Sequence, residues 1–134
     1  MHTSEVVYRG ELRTQAIHMK SGQKIITDAP VDNNGKGEAF SPTDLLATSL
    51  GTCMLTVMGI VAGRNNINMD GTKVEILKVM AESPRRVSEI NVDMFFPSNQ
   101  YSQKEKDLLE HTALTCPVAK SIHSDIKQKT RFHY

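Results

Sequence analysis

Alternating apolar and polar residues at the start of the chain indicate extended structure. Val6 and Tyr8 fall at strand-like intervals, and a turn at Ser21-Gly22 leads into a second short apolar run. We therefore expect an N-terminal hairpin or a three-stranded meander over residues 4–29. Proline, asparagine and glycine are combined over residues 30–37, which predicts a loop.

A long apolar helix is predicted after this loop. Ser41 suits the N-cap, Pro42 suits the first helical position, and Asp44 suits the exposed amides of the first turn. The helix can continue to about Arg64, and apolar residues occupy nearly all of its faces. A helix with this pattern must be buried on all sides. Because one small sheet cannot cover it, we expect a partner subunit to do so.

Alternating strand patterns and further helix signals complete the predicted order. Ser102 and Glu105 have the spacing of a capping box, and Pro117 interrupts the helix that they begin. The predicted elements are strands over residues 73–82 and 86–96, helices over 102–114 and 118–124, and a final strand over 126–134. We expect one domain over residues 1–134.

Composition and charge exclude several classes of function. The chain has 134 residues, 39% of them hydrophobic, and a formal net charge of +1, so it supports one core and offers no general attraction for nucleic acid. The N-terminus lacks the apolar core of a signal peptide. Threonine, serine and glycine interrupt the apolar region over residues 45–62, so we expect no membrane span. We predict a cytoplasmic location, where cysteines remain reduced.

The two cysteines are the residues best suited to carry chemistry. Cys53 lies in the middle of the long helix, where a lone cysteine is most often a small core residue. Cys116 precedes Pro117 at the expected N-cap of a short helix, where the dipole and free amides favour a thiolate. This reasoning predicts that Cys116 is the more acidic thiol. The histidines match no common zinc spacing, so we expect no metal site.

Two segments resemble motifs of the OsmC and Ohr family. The run GEAFSPTDLLATSLGTCM, residues 37–54, is similar to the family's cysteine helix, and TCPVA, residues 115–119, is similar to its second-cysteine motif. The predicted order of elements fits along essentially the whole chain. The resemblance implies an α+β fold in which antiparallel sheets wrap around long central helices in an intertwined homodimer. This agrees with the partner subunit expected above.

The resemblance also implies a thiol-dependent peroxidase that reduces organic hydroperoxides or hydrogen peroxide in oxidative-stress defence. Cys53 would be the peroxidatic nucleophile and would become a sulfenic acid. Cys116 would condense with it to a disulfide, which an external dithiol would reduce. The cycle needs no metal, flavin or haem. Both cysteines and one arginine would converge at the dimer interface.

A peroxidatic thiolate also needs a nearby cation, because burial alone raises the pKa of a thiol. The family uses an arginine held by a glutamate, but Thr43 occupies the glutamate position in this sequence. Glu38, in the preceding loop, is our candidate carboxylate. Arg13 is slightly preferred to Arg9 as the arginine, and an arginine of the other subunit remains open.

Two other classes of function compete with the peroxidase. The first is a dimeric, non-catalytic binding protein for a small hydrophobic ligand, held in a crevice between subunits that Met54, Leu50 and Phe40 would line. The second is a structural or interaction role in which both cysteines are inert. An apolar entrance to the peroxidase site would favour alkyl hydroperoxides over hydrogen peroxide, because their tails bury apolar surface.

Overall fold

The computed structural model describes residues 1–97 and 100–134 and has the mixed α+β architecture that the sequence predicts. The chain divides into two compact units, Met1–Leu46 and Ala47–Tyr134. Each unit contains one three-stranded sheet. The longest helix, α1, covers Pro42–Arg64. That the chain forms one domain stays a prediction.

The first unit contains an antiparallel meander. Strands β1 (Ser4–Gly10), β2 (Arg13–His18) and β3 (Lys24–Asp28) pair in that order, which confirms the predicted three-stranded arrangement. In the pairing of β2 with β3, Arg13 stands opposite Asp28. The meander therefore places a cationic and an anionic side chain next to each other where β2 begins and β3 ends.

The predicted loop over residues 30–37 folds back onto the end of β3. Gly35 lies so close to Ala29 that a side chain at position 35 would overlap the Ala29 carbonyl group. A glycine is therefore required for this approach. After the loop, the Glu38 N–H donates to the Asp28 carboxylate at 3.2 Å. The loop thus returns the chain to the end of the meander.

Helix α1 begins with the cap that the sequence predicts. The Ser41 hydroxyl accepts a hydrogen bond from the Asp44 N–H, and the Asp44 carboxylate accepts one from the Ser41 N–H, each at 3.0 Å. This reciprocal pair is a capping box, which satisfies two backbone donors of the first turn. Asp44 therefore serves the helix start, as expected.

The second unit contains a mixed sheet. Strands β4 (Lys73–Ala81) and β5 (Arg86–Phe95) are antiparallel, whereas β6 (Lys127–His133) runs parallel to β5. Helices α2 (Gln103–Leu114) and α3 (Pro117–Ser121) lie in the connection between β5 and β6. Parallel neighbours need a long connection of this kind.

The observed ends of the elements lie close to the predicted ones. Ser102 caps α2, and its hydroxyl and the Glu105 carboxylate form the predicted capping box. The short helix α3 begins at Pro117 and ends at Ser121, earlier than the predicted end at residue 124. The final strand ends at His133, one residue before its predicted end.

One side of α1 forms the core of the second unit with the inward residues of the sheet. Its buried residues recur at helical spacing and are Ala47, Leu50, Gly51, Met54, Met58 and Ala62. All of them except Gly51 share a cluster with Ile90, Val92 and Met94, which alternate along β5 as predicted. Gly51 permits a close approach to β4, because a Cβ atom there would lie 2.8 Å from Ile76 Cδ1.

The opposite side of α1 is exposed in the single chain. Ile60 is 51% exposed and Leu46 is 38% exposed, and Thr52 and Thr56 lie on the same side. The chain itself therefore does not cover this helix on all sides, although its composition is apolar all round. The partner subunit that would cover it stays a prediction.

Helix α1 is long and apolar enough to cross a membrane, judged by length and composition only. The polar and small residues within it had predicted no membrane span. Core helices of globular proteins have the same length and composition, and the buried side of α1 packs within the second unit. Packing in the core therefore accounts for the apolar residues on the buried side of α1.

Candidate functional site

The structure brings Cys53 and Cys116 together within the second unit. Cys53 is half-buried in the middle of α1, and Cys116 is 1% exposed immediately before α3. Both are free thiols, and their side chains interact through a hydrogen bond. Two sulfur atoms that are far apart in the sequence therefore form one thiol pair.

The position of Cys53 on α1 explains its partial exposure. Its neighbours Leu50 and Met54 belong to the buried side of the helix, whereas Thr52 and Thr56 belong to the exposed side. Cys53 lies at the border between the two sides. Its sulfur can therefore contact a core residue and also be approached from outside the core of this unit.

Cys116 occupies the N-cap of α3, as predicted. Its sulfur accepts a hydrogen bond from the Ala119 N–H at 3.4 Å, and Pro117 occupies the first turn. The Gln128 side-chain amide of β6 donates to the Ala119 carbonyl at 3.0 Å. The short helix is therefore fixed to the last strand of the sheet, and its first turn is fixed to Cys116.

The prediction that the helix dipole makes Cys116 the more acidic of the two thiols is wrong. Burial raises the pKa of Cys116 and is the largest influence on it. The amides of Ala119 and Val118 act in the opposite direction, but the hydrogen bond with Cys53 and the charge of a Cys53 thiolate raise the pKa of Cys116 further. Loss of hydration therefore outweighs the amides of this helix, which has only five residues.

The first unit holds a second cluster, formed by Arg13, Asp28 and Glu38. The Arg13 guanidinium donates to the two Asp28 carboxylate oxygens, from Nε at 2.7 Å and from Nη2 at 2.9 Å. A longer contact of 3.5 Å joins Arg13 Nη2 to the Glu38 carboxylate. The hydrogen bonds from Arg13 hold the pKa of Asp28 below its usual value, although burial acts to raise it.

The cluster brings together the predicted pair of Arg13 and Glu38 and adds Asp28, which the sequence analysis missed. Asp28 is 1% exposed and makes the two short contacts to Arg13. The correct register between β2 and β3 would have identified Asp28 as the partner of Arg13. A turn centred on Ser21-Gly22 would have placed Arg13 opposite residue 30, whereas the observed register places it opposite Asp28.

The other residues considered for this cluster have local partners. Arg9 donates from Nε to the Gln15 side chain at 3.0 Å on an exposed part of the meander. Thr43, which stands at the family's glutamate position, has its hydroxyl 3.2 Å from the Ser41 hydroxyl at the helix cap. Arg13, and not Arg9, therefore has the carboxylate partners expected of the arginine in the predicted site.

Two of the three residues predicted to line a ligand crevice are buried in the core. Leu50 and Met54 are 0% exposed and pack in the cluster between α1 and the sheet. That part of the prediction is wrong, because these residues face the chain's own sheet. Phe40 is 53% exposed. Residues 1–97 and 100–134 contain no group of three or more histidine, cysteine, aspartate or glutamate side chains able to hold a metal ion.

Comparison with known proteins gives related structures along the whole chain. A protein of Psychrobacter arcticus, provisionally described as an osmotic stress induced and detoxification response protein, is 59% identical, with a TM-score of 0.95 over 99% of this chain and 96% of that one. An organic hydroperoxide resistance protein OsmC of Legionella pneumophila is 17% identical, with a TM-score of 0.74 over 100% of this chain and 98% of that one.

A third structure, an organic hydroperoxide resistance protein of Elizabethkingia anophelis, is 17% identical, with a TM-score of 0.69 over 99% of this chain and 96% of that one. The two distant likenesses show a shared fold. No curated protein matches the chain. The family described as OsmC-like protein matches residues 35–131, which include both cysteines. The chain therefore belongs to the OsmC-like protein family.

Proposed function

We propose that this protein is a thiol-dependent peroxidase that reduces organic hydroperoxides, with Cys53 as the nucleophile and Cys116 as the resolving thiol. The observation that carries the proposal is the hydrogen bond between the two thiol side chains, which pack in the same core. Membership of a family that includes organic hydroperoxide resistance proteins supports the choice of substrate. We propose oxidative-stress defence in the cytoplasm as its role.

The proposed cycle begins at the more accessible sulfur. The Cys53 thiolate attacks the terminal peroxide oxygen, the O–O bond breaks, and Cys53 becomes a sulfenic acid. The departing alkoxide takes a proton from water and leaves as the alcohol. Cys116 then attacks that sulfur, the S–S bond forms, and water leaves. An external dithiol returns both cysteines to thiols by exchange.

The difference in exposure favours Cys53 as the nucleophile. A hydroperoxide must reach the attacking sulfur, and Cys53 is half-buried whereas Cys116 is 1% exposed. Burial and the hydrogen bond with Cys53 raise the pKa of Cys116, which favours the neutral thiol at this position. This division suits a first thiolate and a second thiol that reacts only after the first is oxidised.

Arg13 is our proposed source of the positive charge that stabilises the Cys53 thiolate. Asp28 and Glu38 are the carboxylates that hold its guanidinium. A fixed guanidinium is suited to this role because it stays charged and presents donors in a defined direction. The arginine can come from the same chain or from a second copy, and we propose that the protein works as a homodimer.

Exposed apolar residues support the proposed dimer. Val6, Val7 and Tyr8 of β1 are 62%, 53% and 65% exposed, and Ile60 of α1 is 51% exposed. Large apolar side chains on strands and on a long helix are typical of surfaces that another chain covers. A second copy of this chain is the partner that the family resemblance implies.

Peroxide consumption by cysteine variants tests the proposed activity. Purified protein with dithiothreitol should consume cumene hydroperoxide catalytically, and Cys53→Ser should abolish consumption. Without reductant, Cys116→Ser should react once per chain and stop at a sulfenic acid that dimedone traps on Cys53. The matched control is Ser121→Ala, which removes an exposed hydroxyl from α3 and should keep full activity.

The proposal would be contradicted by undiminished consumption in Cys53→Ser. Wild-type protein that forms no disulfide between Cys53 and Cys116 after one equivalent of hydroperoxide would also contradict it. Peptide mass spectrometry after alkylation of free thiols distinguishes these results.

A further inference from the structure

We propose that the reductant of this protein attacks the Cys53 sulfur of the disulfide and that Cys116 is the sulfur released. The inference rests on the proposed function, in which the two thiols form a disulfide, and it adds the direction of the reductive step. Cys53, Cys116 and Ala119 all belong to the second unit. The relative exposure of the two sulfurs and the hydrogen bond from Ala119 can therefore be described within that unit.

Access is the first reason for this direction. Thiol–disulfide exchange requires the incoming thiolate to reach the sulfur that it attacks. Cys116 is 1% exposed and shares the core cluster with Leu109 and Ala113, each of which is 0% exposed. Cys53 lies at the border between the buried and exposed sides of α1. Within a single chain, a dithiol can reach Cys53 without displacing core side chains, whereas an approach to Cys116 would require their displacement.

The second reason is a backbone amide at the departing sulfur, which offsets part of the effect of burial on Cys116. When Cys53 is attacked, the bond to Cys116 breaks and negative charge develops on the Cys116 sulfur. The Ala119 N–H already points at that sulfur from 3.4 Å. Cys53 lies in the interior of a helix of 23 residues, where backbone N–H groups are used by the helix itself. Of the two cysteines, Cys116 therefore has a backbone amide donor, whereas the proposed stabilisation of a Cys53 thiolate depends on Arg13.

The buried setting of Cys116 also helps the reaction to proceed to completion. Burial raises the pKa of Cys116, so the released thiolate takes up a proton and attacks the mixed disulfide poorly. The second thiol of the dithiol then attacks the reductant sulfur bound to Cys53. The dithiol becomes a disulfide, Cys53 is released, and two electrons have passed from the dithiol to the protein.

The position of the mixed disulfide tests this direction in the wild-type protein. Diamide, rather than a hydroperoxide, forms the starting disulfide, so the test does not depend on peroxidase activity. A short exposure to 2-mercaptoethanol is stopped with acid, free thiols are alkylated with N-ethylmaleimide, and peptides are analysed by mass spectrometry. We expect mercaptoethanol on Cys53 and maleimide on Cys116, in roughly tenfold excess over the reverse pattern.

Equal labelling, or mercaptoethanol mainly on Cys116, would overturn the inference and leave the proposed function intact. Failure of diamide to form the disulfide would overturn both. Loss of peroxide consumption with the expected labelling would overturn the proposed function alone. The three results are therefore distinguishable.

A pair of variants at Ala119 tests the contribution of the amide. Ala119→Pro removes the N–H that donates to Cys116, whereas Ala119→Gly keeps it. We expect Ala119→Pro to slow reduction of the diamide-formed disulfide roughly three- to tenfold, because a hydrogen bond to the departing charge is lost. Ala119→Gly should stay within about twofold of wild type. Equal reduction rates in the two variants would overturn this role of the Ala119 amide. If Ala119→Pro does not fold, the labelling pattern of the wild-type protein decides the direction of the reductive step.

Discussion

Arg13 and Asp28 stand opposite each other on β2 and β3 and are joined by two parallel hydrogen bonds of 2.7 and 2.9 Å. A two-point contact of this kind fixes the plane of the guanidinium as well as its position. Asp28 is buried, while the Arg13 side chain is 29% exposed. The carboxylate thus acts as a fixed support for a cation that remains partly accessible.

Replacement of Asp28 should impair the proposed activity more than replacement of Glu38. Asp28 makes two short contacts to Arg13, whereas the Glu38 contact is 3.5 Å long. We expect Asp28→Asn to lower kcat/KM for cumene hydroperoxide about tenfold or more, and Glu38→Gln by less than about threefold, because positioning of the cation is lost in the first case. Arg9→Gln is the matched control and should change nothing. A larger effect of Glu38→Gln would contradict this ranking.

Acid should destabilise the protein partly through Asp93. The Asp93 carboxylate accepts hydrogen bonds from Arg131 at 2.9 and 3.0 Å, and His133 Nε2 lies 2.9 Å away. The bonds from Arg131, and then the contact with His133, hold the pKa of Asp93 below its usual value. A carboxylate with a lowered folded pKa stabilises the fold above its unfolded pKa of about 3.9, and this stabilisation is lost as pH falls through the folded pKa.

Thermal unfolding between about pH 2 and pH 7 measures this contribution. We expect Asp93→Asn to unfold at a lower temperature than wild type at pH 7, and the difference should shrink below about pH 4. The control is Asp125→Asn, whose side chain is 87% exposed. A constant difference in unfolding temperature between Asp93→Asn and wild type across this pH range would show that the charge of Asp93 does not contribute to stability.

Close packing at Gly51 should couple α1 to β4 energetically. In Gly51→Ala the new methyl group would meet Ile76 Cδ1 at 2.8 Å, and Ile76→Val removes that atom. The double variant should therefore lose less stability than the sum of the single variants, by about 0.5–1 kcal/mol. Denaturant unfolding measures the free energy of unfolding of the wild type, the two single variants and the double variant. Gly59→Ala combined with Ile76→Val should be additive, because a side chain at Gly59 would meet nothing within 4 Å.

A charge on the exposed side of α1 should disrupt the proposed dimer. Ile60→Glu places a carboxylate where a second copy would cover an apolar residue, so sedimentation should show monomers where wild type shows dimers. Leu77→Glu is the matched control, since Leu77 is 62% exposed on the outer face of β4. Identical sedimentation of Ile60→Glu and wild-type dimers would exclude this side of α1 from the interface.

Local signals in the sequence were sufficient to predict the helices and strands of the fold. The cap of α1 at Ser41 and the capping box of α2 at Ser102 were predicted from residue types at short spacing, and the alternation along β5 indicated its buried face. The parallel pairing of β6 with β5 was not predictable in this way. Alternation reports that one face of a strand is buried, but it contains no information about the direction of the neighbouring strand.

The candidate site also depends on contacts between distant parts of the chain, which local sequence patterns do not predict. Proximity of Cys53 to Cys116 was expected through resemblance to a family, since no local pattern joins residues so far apart in the chain. Asp28 was missed because its pairing with Arg13 depends on a strand register that a shift of the turn changes. The acidity of Cys116 was misjudged because the helix dipole is visible in the sequence, whereas burial depends on the whole fold.

The bond from Gln128 to the Ala119 carbonyl has a consequence for the order in which a newly made chain becomes competent. Among the strands of the described residues, β6 comes last in chain order, and it anchors the short helix that Cys116 caps. Until β6 has docked, the hydrogen bond that fixes this helix to the sheet is not formed. Final positioning of the Cys116 sulfur would therefore be a late event in folding.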